Sequence, residues 1–282
     1  MALVVMLAMV WGSAFLVIKV VVPETGPLWL ATLRVVIAFI VLLPFALVKG
    51  MIWPSGARQW RLLCLIMLLN VVIPFFLISW AEQYINAGVA SLLMGVGPFM
   101  ALFGSHFTTH DDKLSRAKLT GAILGFSGVL VLVGWEVIQG LGDNLLGQGA
   151  AMLGAACYVT SSLLIRRLGD FPPLRLSTLI LGMSSLTLLL ASVSFVGFPA
   201  HSFSTQSWLG LLYLGIFPSA LGYVLRYRLI QTIGVSAFAS GINLIPVFGV
   251  LLSAWLLGEA LTINVFIALA LIVTGLTIIR RG

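Results

Sequence analysis

Residues 240–259 read SGINLIPVFGVLLSAWLLGE. The run is apolar enough to lie in lipid, yet its first half carries a glycine, an asparagine and a proline, and it ends on a glutamate. Proline inside a helix removes one ladder hydrogen bond and clashes with the carbonyl four residues earlier. Pro246 therefore opens the carbonyl of Ile242, next to Asn243. Lipid tolerates such a defect only where neighbouring protein or a water-filled cavity satisfies the freed group. The stretch reads as a membrane helix with one special face, on which Asn243, Pro246, Val250 and Ser253 fall at helical spacing.

The rest of the chain has the same character. Of its 282 residues 61% are hydrophobic and 8% charged, against about 25% charged in an ordinary globular protein. Apolar runs long enough to cross a hydrocarbon core of about 30 Å lie at 2–19, 28–48, 60–81, 87–107, 117–135, 146–165, 174–196, 206–227, 234–257 and 262–279. The runs are continuous rather than alternating, which excludes a β-barrel. An all-α integral membrane protein of ten transmembrane helices follows. The first run lacks the basic n-region and small-x-small site of a signal peptide, so it is read as helix 1. Cys64 and Cys157 fall in different spans and imply neither a disulfide nor a metal site.

The net charge of +7 is a matter of topology. Thirteen of the fifteen Lys and Arg residues fall in connections on one side, while the other side holds Glu24, Glu82, Glu136, Asp143 and Glu259. By the positive-inside rule both termini are cytoplasmic, in a multi-pass protein of the cell (inner) membrane. The partners expected are a small-molecule substrate and the lipid bilayer, with no nucleic acid, and a monomer or a dimer. No cofactor or metal is expected.

The two halves align at an offset of 147 to 148 residues. MVWGSAFLVIK in helix 1 pairs with ACYVTSSLLIR in helix 6, placing Trp11 on Tyr158, Ser13 on Thr160 and Lys19 on Arg166. Trp60 falls on Trp208, Pro98 on Pro246 and Gly128 on Gly275. Each half, 1–145 and 146–282, holds five spans, so the second enters the membrane from the opposite side. Such inverted repeats exchange conformations around a site between them, the architecture of alternating access.

Several of these residues carry a resemblance. WGSAF in helix 1, Arg34 in helix 2, GVASLL and Pro98 in helix 4, IPVFGVLLSAWLLGEALT from helix 9 into helix 10, and the closing GLTIIR are similar to the EamA-type members of the drug/metabolite transporter superfamily. The resemblance implies a ten-helix exporter of small metabolites in which helices 1, 3, 4, 6, 8 and 9 line a central cavity while 2, 5, 7 and 10 brace it. One departure is that HDDKLS follows helix 4 where the second half has GE.

On those helices the candidates for substrate binding are Trp11, Ser13 and Phe15, then Asn70, Pro74, Trp80 and Tyr84, then Pro98, Tyr158, Thr160, Phe217, Tyr223, Asn243 and Pro246. Aromatic walls with a few amide and hydroxyl groups suit amphipathic organic solutes. Trp60, Trp208 and Tyr227, near span ends, read as interface anchors. Arg34 is an ionisable group inside a span and needs a partner, for which Glu24, Glu82 or a substrate carboxylate are candidates. With Glu82 it is assigned to a charge relay or structural ion pair. Glu259 is expected at the outer surface beside the N-terminus of helix 10, where a carboxylate complements the helix dipole.

No acidic residue lies mid-span, which favours a facilitator or exchanger over proton coupling, with Glu82 the one outer-end proton candidate. Catalysis is not expected. GLGD at 140–143 resembles an intramembrane aspartyl protease motif, but Asp143 falls in a loop and has no partner aspartate in a span. The expected function is transport of small amphipathic metabolites such as amino acids or related compounds. The alternatives are a channel or lipid-scramblase-like protein, or a carrier of nucleotide-linked or phosphorylated metabolites, which would need several cavity arginines or lysines.

Overall fold

The computed structural model describes residues 2–97, 99–100, 115–138, 142–165, 167–168, 171–229, 232 and 244–281, which form helices and their connections without a strand. In chain order the helices are α1 Ala2–Thr25, α2 Pro27–Val48, α3 Gly56–Ala81, α4 Ala87–Met94, α5 Arg116–Ile138, α6 Gly142–Ile165, α7 Pro173–Phe195, α8 Thr205–Leu229, α9 Ile245–Leu257 and α10 Ile263–Arg281. Six of them are long and apolar enough to cross a membrane, and α9 and α10 supply shorter apolar helices.

Helix boundaries follow local chemistry. Pro27 and Pro173 occupy first turns, where a missing N–H costs nothing. Gly258 ends α9 in the left-handed conformation at φ 67°, the common glycine stop. Hydropathy ends the first span at Lys19, yet α1 continues through Pro23 to Thr25. The extra turns are sustained because Lys19 and Glu24 both find partners on neighbouring helices.

Two helices are interrupted by π turns, Leu68–Val72 in α3 and Gly215–Leu221 in α8. Pro74 lies just after the first and Pro218 inside the second. These turns leave main-chain carbonyls without their usual partners.

Packing sorts the helices into braces and a centre. Helices α5 and α10 approach through glycine: a Cβ added to Gly275 would lie 2.4 Å from the Gly121 carbonyl oxygen, and one on Gly128 would lie 2.9 Å from that of Ala268. Small residues at such seams let backbones meet closely in lipid. Helices α2 and α7 are joined by Thr32 and Ser192, whose hydroxyls are 2.6 Å apart. Leu130, Leu186, Leu190, Phe195 and Trp255 are exposed on the outside of the bundle, as a lipid-facing surface requires. At the Gly26 end of the bundle stand the C-termini of α1, α3, α7 and α9 and the N-termini of α2, α4, α6 and α8, tied by contacts such as Trp29 Nε1 donating to the Gly197 oxygen at 2.9 Å.

Candidate functional site

Within the bundle lies a partly open cavity of about 230 Å³. At about 30 Å³ per liquid water this is room for roughly eight waters, or for one small organic molecule. Trp11, Ala14, Phe15 and Ile18 form one wall from α1, and Phe75 and Ile78 of α3 another. Met94, Gly95, Ile245 and Pro246 close it from α4 and α9, and Tyr158, Pro218 and Tyr223 from α6 and α8. Two cations also line it, Arg34 from α2 and Arg226 from α8. No carboxylate or histidine is among the described lining residues.

The π turns account for the polar geometry. Pro74 cannot donate to the carbonyl of Asn70 four residues earlier, and that oxygen instead accepts the Tyr223 hydroxyl at 2.8 Å. In the second turn the Gly222 N–H bonds back to Phe217 and Ser219 rather than to Pro218. Trp11 Nε1 donates to the Pro218 oxygen at 3.0 Å. Each kink carbonyl is thus occupied by an aromatic side chain of the cavity wall.

The arginines are held by the same turns, crosswise. Arg34 Nε and Nη2 donate to the Ser219 hydroxyl at 3.3 and 3.2 Å, and the guanidinium lies 3.9 Å over the Phe75 ring. Arg226 donates to the side-chain oxygen of Asn70 at 3.4 Å and to Ser162 at 2.7 Å. Arg34 is buried, and the partners recorded for both guanidiniums are uncharged.

At the Gly26 end charge is handled differently. The Glu259 carboxylate accepts from the N–H groups of Ala87 and Gly88 at 2.8 and 3.0 Å, capping α4 from α9. Gly88 makes room for it, since a Cβ there would lie 2.7 Å from Ser253 Oγ and 3.2 Å from the carboxylate. Glu24 caps α8 in the same manner, accepting from the backbone and hydroxyl of Ser204, each at 2.6 Å, and from the Ser207 hydroxyl. Lys19 Nζ donates to the carbonyls of Glu82 and Ile85 at 2.6 and 2.7 Å. Glu82 is fully buried and neither carboxyl oxygen has a hydrogen-bond partner. Burial holds this carboxyl well above the usual carboxylate range; Lys19 opposes the shift and Glu259 adds to it.

Of the residues singled out from the sequence, Trp11, Phe15, Tyr158, Tyr223 and Pro246 line the cavity. Asn70 and Pro74 stand one layer behind, buried in and after the first π turn. Ser13 turns away to Tyr213, at 2.6 Å. Trp80 packs on Tyr84 with ring centroids 4.8 Å apart, and Tyr84 is exposed. Phe217 is exposed beside Tyr213. Thr160 is also exposed and donates to the Ala156 carbonyl in its own helix. The repeat that pairs it with Ser13 fixes position along the helix, not the direction a side chain takes. Pro98 and Asn243 lie outside the described residues.

Five further expectations are corrected. Arg34 bonds Ser219 rather than Glu24 or Glu82, and it lines the cavity from a helix expected only to brace. Glu259 caps α4 rather than α10. Tyr227 is no interface anchor: it is buried, with its hydroxyl 3.5 Å from Asn70 Nδ2. Arg226, grouped with the cytoplasmic cations by its position in the chain, reaches the cavity.

A family model described as the EamA-like transporter family matches residues 1–134 and 145–281. One relative is "Uncharacterized transporter YvbV" of Bacillus subtilis, 26% identical over 97% of this chain and 89% of its own. Another is the "Probable terminal-alkyne amino-acid exporter" of Streptantibioticus cattleyicolor, 25% identical over 96% of this chain and 90% of its own. A solved structure titled "Crystal structure of protein" superposes with a TM-score of 0.69 at 22% identity, covering 98% of this chain and 95% of that one. That likeness is one of fold.

Proposed function

The chain belongs to the EamA-like transporter family, a multi-pass membrane transporter, and from that premise we propose that it carries a small amphipathic solute of amino-acid size through the central cavity by alternating access. The observation that carries this reading is the cavity itself. It is aromatic-walled, set between the π turns of α3 and α8, and reached by a cation held to each turn.

The π turns also support the inverted repeat. Adding the repeat offset of 148 to Leu68–Val72 gives 216–220, which lies inside Gly215–Leu221. Two kinked helices at corresponding positions of the halves 1–145 and 146–282 are the hinges such a mechanism needs. The Gly26 end, where Lys19, Glu24 and Glu259 join helices, is the outer side by the charge rule, and these contacts are its closure. Opening outward requires them to break. The amino-acid exporter among the relatives agrees with the expected solute size.

Counterflow in proteoliposomes tests the reading. A preloaded substrate is expected to accelerate uptake of its labelled copy, with saturation, and Trp11→Ala is expected to reduce that exchange at least tenfold while the protein still folds. Uptake that rises linearly with concentration, without stimulation from the far side, would replace the carrier by a channel.

A further inference from the structure

We propose that the cavity selects a small aromatic carboxylate without a compensating ammonium group, its acid held by Arg34; the inference rests on the carrier reading above.

The inventory of donors and acceptors in the cavity points one way. Arg34 and Arg226 bring two permanent positive charges to its walls, and no described lining residue brings a negative one. Arg34 uses Nε and Nη2 on a single hydroxyl and lies 3.9 Å over the Phe75 ring. A guanidinium has five N–H groups, so most of its fork remains for a bidentate carboxylate. The Phe75 ring under the guanidinium and the Ser219 hydroxyl hold the side chain in place, so little side-chain freedom is lost when the acid binds.

An amino acid would need in addition an acceptor for its ammonium. In a cavity of this kind kinked-helix carbonyls are the natural acceptors. Here the Asn70 oxygen is taken by Tyr223 and the Pro218 oxygen by Trp11. The protein sets its own side-chain donors on these two carbonyls of its π turns, and leaves most of the Arg34 donors facing inward. Among the described residues the ammonium of a zwitterion meets only aromatic faces and carbonyls that already accept a hydrogen bond, beside two cations; an amine adds its charge to theirs, and a monoanion offsets one of them and needs no further acceptor. The apolar walls formed by Trp11, Phe15 and Ile78 suit one ring, and about 230 Å³ matches a small organic molecule.

The test is isothermal titration of the purified wild-type chain with three molecules that share a phenethyl body and differ in charge: 3-phenylpropionate, phenylalanine and phenethylamine. Phenyl phosphate is the fourth arm. We expect 3-phenylpropionate to bind at least tenfold more tightly than phenylalanine or phenethylamine and at least as tightly as phenyl phosphate, since Arg226 is already engaged by Asn70 and Ser162 and one fork is left, and we expect Arg34→Gln to lower its affinity by about ten- to hundredfold while Arg34→Lys retains part of it. The wild-type series stands by itself should an Arg34 variant fail to fold. Phenylalanine binding as tightly as 3-phenylpropionate overturns the proposal, and so does tighter binding of phenyl phosphate. If none of the four binds while counterflow finds a neutral or cationic substrate, the anion inference falls and the carrier reading stands. If no solute of any charge exchanges, the carrier reading falls first.

Discussion

At the Gly26 end of the bundle, the Glu259 carboxylate is bonded to two backbone N–H groups and the Lys19 ammonium to two carbonyls. In the cavity, the Arg34 guanidinium has one hydroxyl and one ring. Both regions place charge among apolar helices, but the first matches it to main-chain groups of another helix and the second leaves it half answered. Matched charge at helix ends joins segments and complements their dipoles. Half-answered charge in a cavity costs stability in the empty protein, and that cost is relieved when a ligand of opposite sign arrives.

The difference predicts opposite consequences for the same kind of substitution. Arg34→Gln should lose about ten- to hundredfold in affinity for the anionic ligand, the worth of roughly 1.5–3 kcal/mol assigned to charged hydrogen bonds. It should leave thermal stability unchanged or slightly raised, because an uncompensated buried cation has been removed. Should melting temperature fall while affinity stays constant, Arg34 would belong with the structural charges of the Gly26 end.

Glu259→Ala makes the complementary case. It uncovers two N–H groups at the start of α4, and a lost helix cap costs about 1–2 kcal/mol. The melting temperature should drop and ligand affinity in detergent should change little. Gly88→Ala should lower stability in the same direction by crowding the carboxylate. If Glu259→Ala melts like wild type, the cap is not holding α4 to α9.

The two regions were also unequally legible in the sequence. The six long spans and Pro246 in the cavity follow from hydropathy and proline, which are local signals, and Trp11 and Tyr158 from aromatic residues on helices that the family resemblance assigns to the cavity. The cap of α4 by Glu259 joins residues 172 apart in the chain, and no local pattern reports which helix end a loop carboxylate will meet. Arg226 was hidden for another reason. Charge counting assigns a cation near a span end to the water, whereas a long side chain on α8 reaches back to Asn70 and Ser162. A signal was available there, since Asn70 sits one turn before Pro74 and a buried amide beside a freed carbonyl invites donors.

A smaller effect sharpens the account of the cavity. Tyr223→Phe removes the hydroxyl that occupies the Asn70 carbonyl and returns an acceptor to the site. Phenylalanine should then gain a few-fold in affinity relative to 3-phenylpropionate, since one neutral hydrogen bond contributes about 0.5–1.5 kcal/mol. An unchanged ratio would show that discrimination against the ammonium does not pass through this carbonyl.

Glu82 breaks the pattern of the Gly26 end, being buried there with neither oxygen bonded. Its carboxyl is raised above the ordinary value of 4.5 by burial, against the pull of Lys19 and Arg34 and with a push from Glu259. The folded protein therefore holds this proton more tightly than the unfolded chain. The stability it contributes is present in full below the ordinary carboxylate value and is lost as pH rises through the raised folded value. Melting temperature should accordingly fall as pH is raised across that window in the wild type, and Glu82→Gln, which keeps the shape and removes the titration, should flatten the slope. A slope that survives the substitution would place the titrating group elsewhere. A slope that vanishes while counterflow remains insensitive to pH would make Glu82 a neutral filler of the closure, leaving Arg34 and Arg226 as the charges that meet the substrate.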